Sequence, residues 1–263
     1  MPRDTKTRDT KRMKPVKAAG RWRMPVAITV GGALFVSTAV AALRVRRYAL
    51  LDPQFRLSHD HSDALTVQGM QYAPRAKVQR VFAPDFGRSI FAVPLDERRR
   101  RLLAIDWVED ASVSRIWPDR LAVRIRERRP VAFVFFRSGV LLIDAHGVLL
   151  DPPAKAQFTF PVLSGVREDE SEAQRERRVR VLLQIEKELG PLARDLSEVN
   201  AADPDNIRIV SQVDQRALEF ILGDGNFGRR YRSFLDHYPE IKRRSPEVKT
   251  FDLRLDDRIT GKE

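Results

Sequence analysis

The sequence contains no cysteine and only four histidines. Without a thiol there is no disulfide framework, no cysteine nucleophile and no thiolate-held zinc or iron–sulfur cluster. Four histidines leave little room for a polyhistidine metal site. Gly-x-Ser-x-Gly, Ser-x-x-Lys and His-Glu-x-x-His are also absent, which removes the common signatures of hydrolases. Acidic residues are in short supply: 36 Asp+Glu face 48 Lys+Arg, a formal net charge of +12. What remains suits a folded protein, with 43% hydrophobic and 32% charged residues over 263 positions. That length holds one to three domains. The positive excess points to an anionic partner, either nucleic acid or a membrane surface, and its location decides between them.

Most of the excess lies at the amino terminus. Residues 1–23 carry nine Lys/Arg and two Asp, and the next twenty, Met24 to Leu43, carry no charge. A helix of that length spans roughly 30 Å, the thickness of a bilayer core. A buried core helix seldom runs so far without a polar face. Ala39-Val40-Ala41 resembles a signal-peptide cleavage site, but the tail before the run is long and Arg44, Arg46 and Arg47 follow at once. The expectation is a signal-anchor helix at 24–43. The basic tail at 1–23 stays cytoplasmic under the positive-inside rule, with residues 44–263 across the membrane. The tail acts as a topology determinant or as a binder of anionic lipid. Ala33, Ser37 and Ala41 share a helix face and could admit another helix, although transmembrane helices are rich in small residues anyway.

Beyond the span, residues 44–54 read as a juxtamembrane link. Phe55–Ser58 and Leu65–Val67 look like strand pieces, and Pro74–Phe82 and Leu95–Ile105 like short helices, the second with Asp96 as N-cap. Ala111 and Val113 alternate with Ser112 and Ser114; Leu121, Val123 and Ile125 alternate with Ala122 and Arg124. These are half-buried strands joined by the turn Trp117-Pro118-Asp119-Arg120. The order is β-α-α-β-β, with two helices covering one face of a three-stranded sheet. A second pattern follows. Val131–Phe136 is apolar on both faces and predicts a covered strand. Val140–Ile143 and Val148–Leu150 flank a hairpin turn at Asp144–Gly147. Phe160–Leu163, Ile207–Val210, Ala217–Leu222 and Val248–Leu255 read as strands, and Glu168–Leu189 and Phe227–Ile241 as helices.

Gly69, the loop Gly87–Phe91, Trp107-Val108, Ala111, Val113, Arg115, Trp117-Pro118-Asp119, Leu121, Glu127-Arg128 and Pro130-Val131-Ala132 together resemble the POTRA domain of the FtsQ/DivIB family of cell-division proteins. Asp252-Leu253-Arg254 stands where the family's β domain closes with an Asp-Leu-Arg strand. The resemblance covers nearly the whole chain. It implies an α+β protein: basic tail (1–23), transmembrane helix (24–43), linker (44–54), POTRA domain (55–129), β-rich C-terminal domain with two helices (130–255) and a tail (256–263). It implies a structural role for Gly69, Trp107, Arg115, Trp117, Pro118, Glu127, Arg128 and Pro130.

Other motifs weigh less. Gly223-Asp224-Gly225-Asn226-Phe227-Gly228 spells the dinucleotide fingerprint between a strand and a helix. Only one strand follows it, and Asp224 would oppose a phosphate, so a loop and helix start is the better reading. His59 and His61 could share a strand face and bind zinc; a polar loop is simpler. Asp256-Asp257 and Glu168-Asp169-Glu170 lack a cleft for acid–base work. Arg98–Arg101 and Arg175–Arg180 read as solvated helix faces.

The resemblance implies a non-enzymatic divisome scaffold of the bacterial inner membrane. It would act at the division septum, with FtsB/FtsL-type bitopic proteins and other divisome proteins as partners. No cofactor, metal, nucleic acid or small-molecule substrate is expected. A sheet edge can accept a partner strand through main-chain hydrogen bonds. The candidates for contact are Val248–Leu255, notably Phe251, Asp252, Leu253, Arg254 and Leu255, and the helix before it around Tyr231. Charged replacements at Phe251 or Leu253 are expected to remove binding and spare the fold, with ordinary core packing of both side chains as the open alternative. Two other readings are a POTRA protein of export or outer-membrane assembly and a membrane-anchored cell-wall enzyme.

Overall fold

The computed structural model describes residues 23–58, 63–154, 156–255 and 258–262, with side chains from Gly32 onward. A long helix, α1 (Arg23–Leu51), comes first. Its backbone takes in the uncharged run and continues through 44–51, where a link was expected. The cause is local: RVRRYALL is rich in helix formers and holds neither Pro nor Gly. Asp52 then turns extended ahead of Pro53 and ends the helix. Among the described residues no helix is long and apolar enough to cross a membrane; of residues 24–31 only the backbone is described.

The first sheet contains β1 (Leu65–Gln68), β2 (Val108–Ile116) and β3 (Arg120–Glu127) in the order β1-β3-β2. β1 runs parallel to β3, and β2 pairs with β3 as the expected antiparallel hairpin. Helices α2 (Arg75–Phe82) and α3 (Leu95–Leu103) fall between β1 and β2 in the chain. Val78, Phe82 and Leu102 share one core with Val108 and with Ala111, Leu121, Val123 and Ile125, which the alternation had turned inward.

Three details differ from the sequence reading. Residues 53–55 form a 3-10 turn, and Arg56 makes only an isolated bridge to Ser89, so Phe55–Ser58 is not a strand of the sheet. The backbone of Leu57 instead bonds the loop at Gly87 and Arg88. Pro94, not Asp96, stands at the N-cap of α3; Asp96 lies in the first turn, where the helix dipole also favours it. Arg98 leaves the supposed solvated run altogether. Its side chain is 4% exposed and meets the fully buried Asp85 at 2.5 and 2.8 Å.

The second sheet has nine strands. They are β4 (Pro130–Phe136), β5 (Gly139–Asp144), β6 (Leu149–Leu150), β7 (Val162–Ser164), β8 (Leu196–Asn200), β9 (Ile207–Val213), β10 (Arg216–Gly223), β11 (Thr250–Asp252) and β12 (Thr260–Lys262). Their order is β12-β11-β10-β9-β8-β7-β4-β5-β6. Two helices, α4 (Glu172–Leu189) and α5 (Phe227–Arg244), cover one face. Val179, Leu182, Ile185 and Leu189 from α4, and Phe227, Tyr231, Phe234 and Tyr238 from α5, join Ile209, Leu218 and Phe220 in a single core.

Because the helices cover only that face, β4 is not buried on both sides. Ala132 and Val134 are in the core, whereas Phe135 is 60% exposed. β7 begins two residues later than expected. α4 begins at Glu172, not Glu168, because Ser171 and Gln174 form a capping box there. Its basic run is partly built in: Arg175 donates to the Gly147 carbonyl and Arg178 pairs with Glu170 at 2.7 Å. β8 and β12 had no counterpart in the sequence pattern, being short and weakly alternating.

The sheets meet at an aromatic cluster. Ala73, Trp107, Leu142 and Leu150 are buried there, with Tyr72, Phe133, Phe158 and Phe160 packed on them. The Trp107 indole donates to the Asp151 carbonyl at 2.9 Å.

The buried Asp85–Arg98 pair sets a stability expectation. Asp85→Ala strands a guanidinium in the first core and should cost about 3–5 kcal/mol. Urea unfolding should show that loss, and adding Arg98→Met should recover much of it.

Candidate partner-binding site

The far end of the large sheet is built by β10, β11, β12 and α5. β11 is parallel to β10 and antiparallel to β12. It is therefore an interior strand, and its span is Thr250–Asp252 rather than 248–255. The edge belongs to β12, whose three residues are all exposed.

Alternation along β11 sorts the expected contact residues. Phe251 and Leu253 are each 2% exposed. The Phe251 ring lies 4.7 Å from Phe234 and 6.1 Å from Phe220, and the Leu253 amide donates to the Ile221 carbonyl at 2.9 Å. Tyr231 is also core; its hydroxyl donates to Ser211 Oγ at 2.8 Å, and burial pushes the phenol's pKa up. These three side chains hold the fold together. The expectation that Phe251 or Leu253 could be made charged without harm to the fold is thereby overturned.

Asp252, Arg254 and Leu255 face outward. Arg254 Nε and Nη2 grip the Asp252 carboxylate at 2.9 and 2.7 Å, and Arg254 Nη1 donates to Asn206 Oδ1 at 2.8 Å. Lys262 on β12 adds a cation 3.6 Å from the same carboxylate. The Arg254 hydrogen bonds lower the Asp252 pKa to about 2 against a smaller upward push from burial. Leu255 is 60% exposed. It borders a recess of about 130 Å³ with Arg229, Ser233 and Ile259. A neighbouring recess of about 310 Å³ is lined by His237, Glu240, Ile241, Arg244 and Arg258. The surface thus combines an open strand edge, one exposed leucine and the charged flank of α5. The sequence pointed to this helix around Tyr231, whose side chain is core; the helix's exposed flank borders the recesses instead, and its signal was the polar side of the Phe227–Ile241 stripe.

The motif residues at the other end have structural work. Gly69 has φ +79, and a Cβ there would sit 2.1 Å from the Ile125 carbonyl oxygen. The Glu127 carboxylate accepts the N–H groups of Gln71, Tyr72 and Ala73 at 2.7–3.0 Å. Arg128 reaches the buried Asp144 at 2.9 Å, and Pro130 opens β4. Asp144 also accepts the His146 and Val148 amides, closing the hairpin turn. Arg115 donates to the carbonyls of Ile90 and Val93. Trp117 precedes Pro118 through a cis peptide bond and is 68% exposed.

The glycine-rich loop has a packing explanation. A Cβ at Gly228 would lie 2.4 Å from the Glu188 carbonyl oxygen, and the Gly228 amide donates to the Glu188 carboxylate at 3.1 Å. Arg230 fills the loop by donating to Leu222 and Gly225 carbonyls. That places a carboxylate where a pyrophosphate would need free amides. His59, His61, Asp256 and Asp257 lie outside the described residues. Of the acidic cluster at 168–170, Asp169 pairs with Arg167 and Glu170 with Arg178. Among the described residues no group of three or more His, Asp or Glu is placed to hold a metal.

Residues 62–128 match the family "POTRA domain, FtsQ-type", and residues 132–254 match "Cell division protein FtsQ/DivIB, C-terminal". A cell division protein FtsQ from Koribacter versatilis is 37% identical over 251 residues, which is 93% of this chain and 71% of that protein. The chain belongs to the FtsQ/DivIB family of cell-division proteins. FtsQ of Syntrophotalea carbinolica is 25% identical over 88% of the chain and 85% of its own length. FtsQ of Bordetella pertussis is 35% identical over 47% and 48%. The two matched regions of this FtsQ/DivIB chain coincide with its two sheets, so the family's POTRA domain is the three-stranded unit.

The Asp252 pKa gives a pH signature. Its folded value lies below the usual carboxylate range, so its contribution to stability is present above about pH 4 and fades as the pH falls towards 2. Asp252→Asn should lower stability at neutral pH, and the gap from the unaltered protein should close across that acid window in urea titrations.

Proposed function

We propose that this FtsQ/DivIB chain is a non-enzymatic divisome scaffold. It is anchored in the inner membrane by a single span at 24–43, with residues 1–23 cytoplasmic and the POTRA domain (55–129) and β domain (130–255) outside. The uncharged run Met24–Leu43 and the unbroken α1 backbone support the anchor. The flanking charge supports the orientation. At the septum it recruits FtsB/FtsL-type bitopic proteins and other division proteins.

The observation that carries this reading is the edge β12. It is three exposed residues at the end of a nine-stranded sheet, with the Leu255 recess and the α5 flank beside it. An extended partner segment can add a strand to β12 through main-chain hydrogen bonds. A helix continuing from that segment would lie over Leu255 and the α5 flank. Asp252 and Arg254 then act mainly on each other, holding β11 in place beneath the edge.

Leu255→Glu tests the reading, because this side chain is exposed and its loss leaves the core intact. Capture of an FtsB-type partner by the full chain should weaken about tenfold, equal to about 1.4 kcal/mol, with an unchanged unfolding transition. Capture at the original level would reject the site. Phe251→Glu, by contrast, should unfold the β domain and abolish capture for that reason.

A further inference from the structure

A group of aromatic rings is exposed where α1 meets the POTRA domain. Tyr48 is 55% exposed, Phe91 43% and Trp117 68%. They come from the last turn of α1, from the 3-10 turn Ile90–Ala92 and from the β2–β3 turn. One buried ring joins them. Phe55 is 5% exposed, and its centroid lies 5.6 Å from Tyr48, 5.2 Å from Phe91 and 6.4 Å from Trp117.

The hydrogen bonds around this group hold it in place. Arg115 donates to the Ile90 and Val93 carbonyls at 2.6 and 2.8 Å, which fixes the turn presenting Phe91. The Ser89 hydroxyl donates to the Ala49 carbonyl at 2.6 Å and fastens that turn to α1. The Gln54 amide donates to the Tyr48 hydroxyl. Arg44, Arg46, Arg47, Arg56 and Arg88 are all exposed at this end of the molecule.

Tyr48 and Trp117, each with an apolar ring and a polar tip, are of the kind that favours the headgroup layer of a bilayer, and Phe91 adds apolar area beside them. Arginines beside them suit anionic lipid phosphates. The distance fits as well. Tyr48 is five residues beyond Leu43, roughly 7 Å along a helix, which places it in the headgroup layer rather than in bulk water.

We propose that this face of the POTRA domain rests on the membrane surface from which α1 emerges, with Trp117, Phe91 and Tyr48 among the lipid headgroups and the arginines on anionic lipid. The contact rests on the anchoring of α1 proposed above. It fixes the tilt of the POTRA domain, and through the Trp107 cluster that of the β domain, relative to the bilayer.

The test uses the full chain in nanodiscs of phosphatidylglycerol and phosphatidylethanolamine, with and without acyl-chain bromine. Trp22→Phe removes one of the other two indoles, and Trp107 gives a background common to both samples. The difference between Trp22→Phe and Trp22→Phe/Trp117→Phe isolates the emission of Trp117. Bromolipid should cause a loss of that emission, as expected for an indole in the interfacial belt, and aqueous iodide should leave it unchanged. If the chain enters nanodiscs but iodide alone quenches Trp117, the surface contact is wrong and the anchor stands. Quenching by neither probe means that a second copy of the chain covers the patch, which also overturns the proposal. If the chain fails to co-elute with nanodiscs, the anchoring reading falls and this inference falls with it.

Discussion

The carboxylate of Glu127 accepts three successive backbone amides, those of Gln71, Tyr72 and Ala73. It stands at the last position of β3, and the next residue but two opens β4. One side chain therefore ties the segment after β1 to the strand that leads out of the POTRA sheet. Arg128 continues the tie to Asp144 in the second sheet. With the amides held, Tyr72 and Ala73 sit in the aromatic cluster with Trp107, Phe158 and Phe160. A carboxylate accepting several N–H groups is a strong, charge-assisted acceptor. Without it the part-buried amides of Tyr72 and Ala73 would lose their partner, and the rings between the sheets would lose their backing.

This junction connects two surfaces of opposite character. At one end, α1 and the POTRA domain are fastened by Ser89, Arg115 and Phe55, and present aromatic and cationic groups. At the other, β12 leaves a strand edge open beside charged helix and exposed leucine. Both depend on rigid backing. Exposed groups bind well when their geometry is already set, because less conformational freedom is lost on contact. The buried Phe220, Phe234 and Phe251 rings supply that backing beneath the edge strand, and Phe55 supplies it beneath the aromatic face.

Much of the POTRA fold was legible because its strands are half buried. Leu121, Val123 and Ile125 alternate with the small Ala122 and the charged Arg124 and Arg126, so a period of two reports both strand and facing. The helices α4 and α5 were legible from their apolar stripes in the same way, although the start of α4 turned on a capping box at Ser171 that periodicity does not register. The short strands were not legible. β12 has three exposed residues, Thr-Gly-Lys, and nothing in their composition distinguishes them from a tail. The partner site suffered most from this. Phe251 and Leu253 looked like an accessible edge because the sequence shows which residues share a face, not whether that face meets solvent. Arg98 is the converse case: one arginine in a run of four is buried, and only the fold brings Asp85 to it.

The sequence by itself determined the family, the place of the charge, the order of the main elements and the inward residues of the longer ones. Each of these follows from local spacing or from a contiguous motif. The tertiary structure alone decided which strand is the sheet edge, which motif residues bridge the two domains, and which aromatic rings gather at the end of α1. Those depend on contacts between residues far apart in the chain, such as Phe55 with Trp117 or Thr250 with Lys262. No local pattern encodes such pairs, because their energy comes from burial and hydrogen bonding that exist only once the sheets have formed.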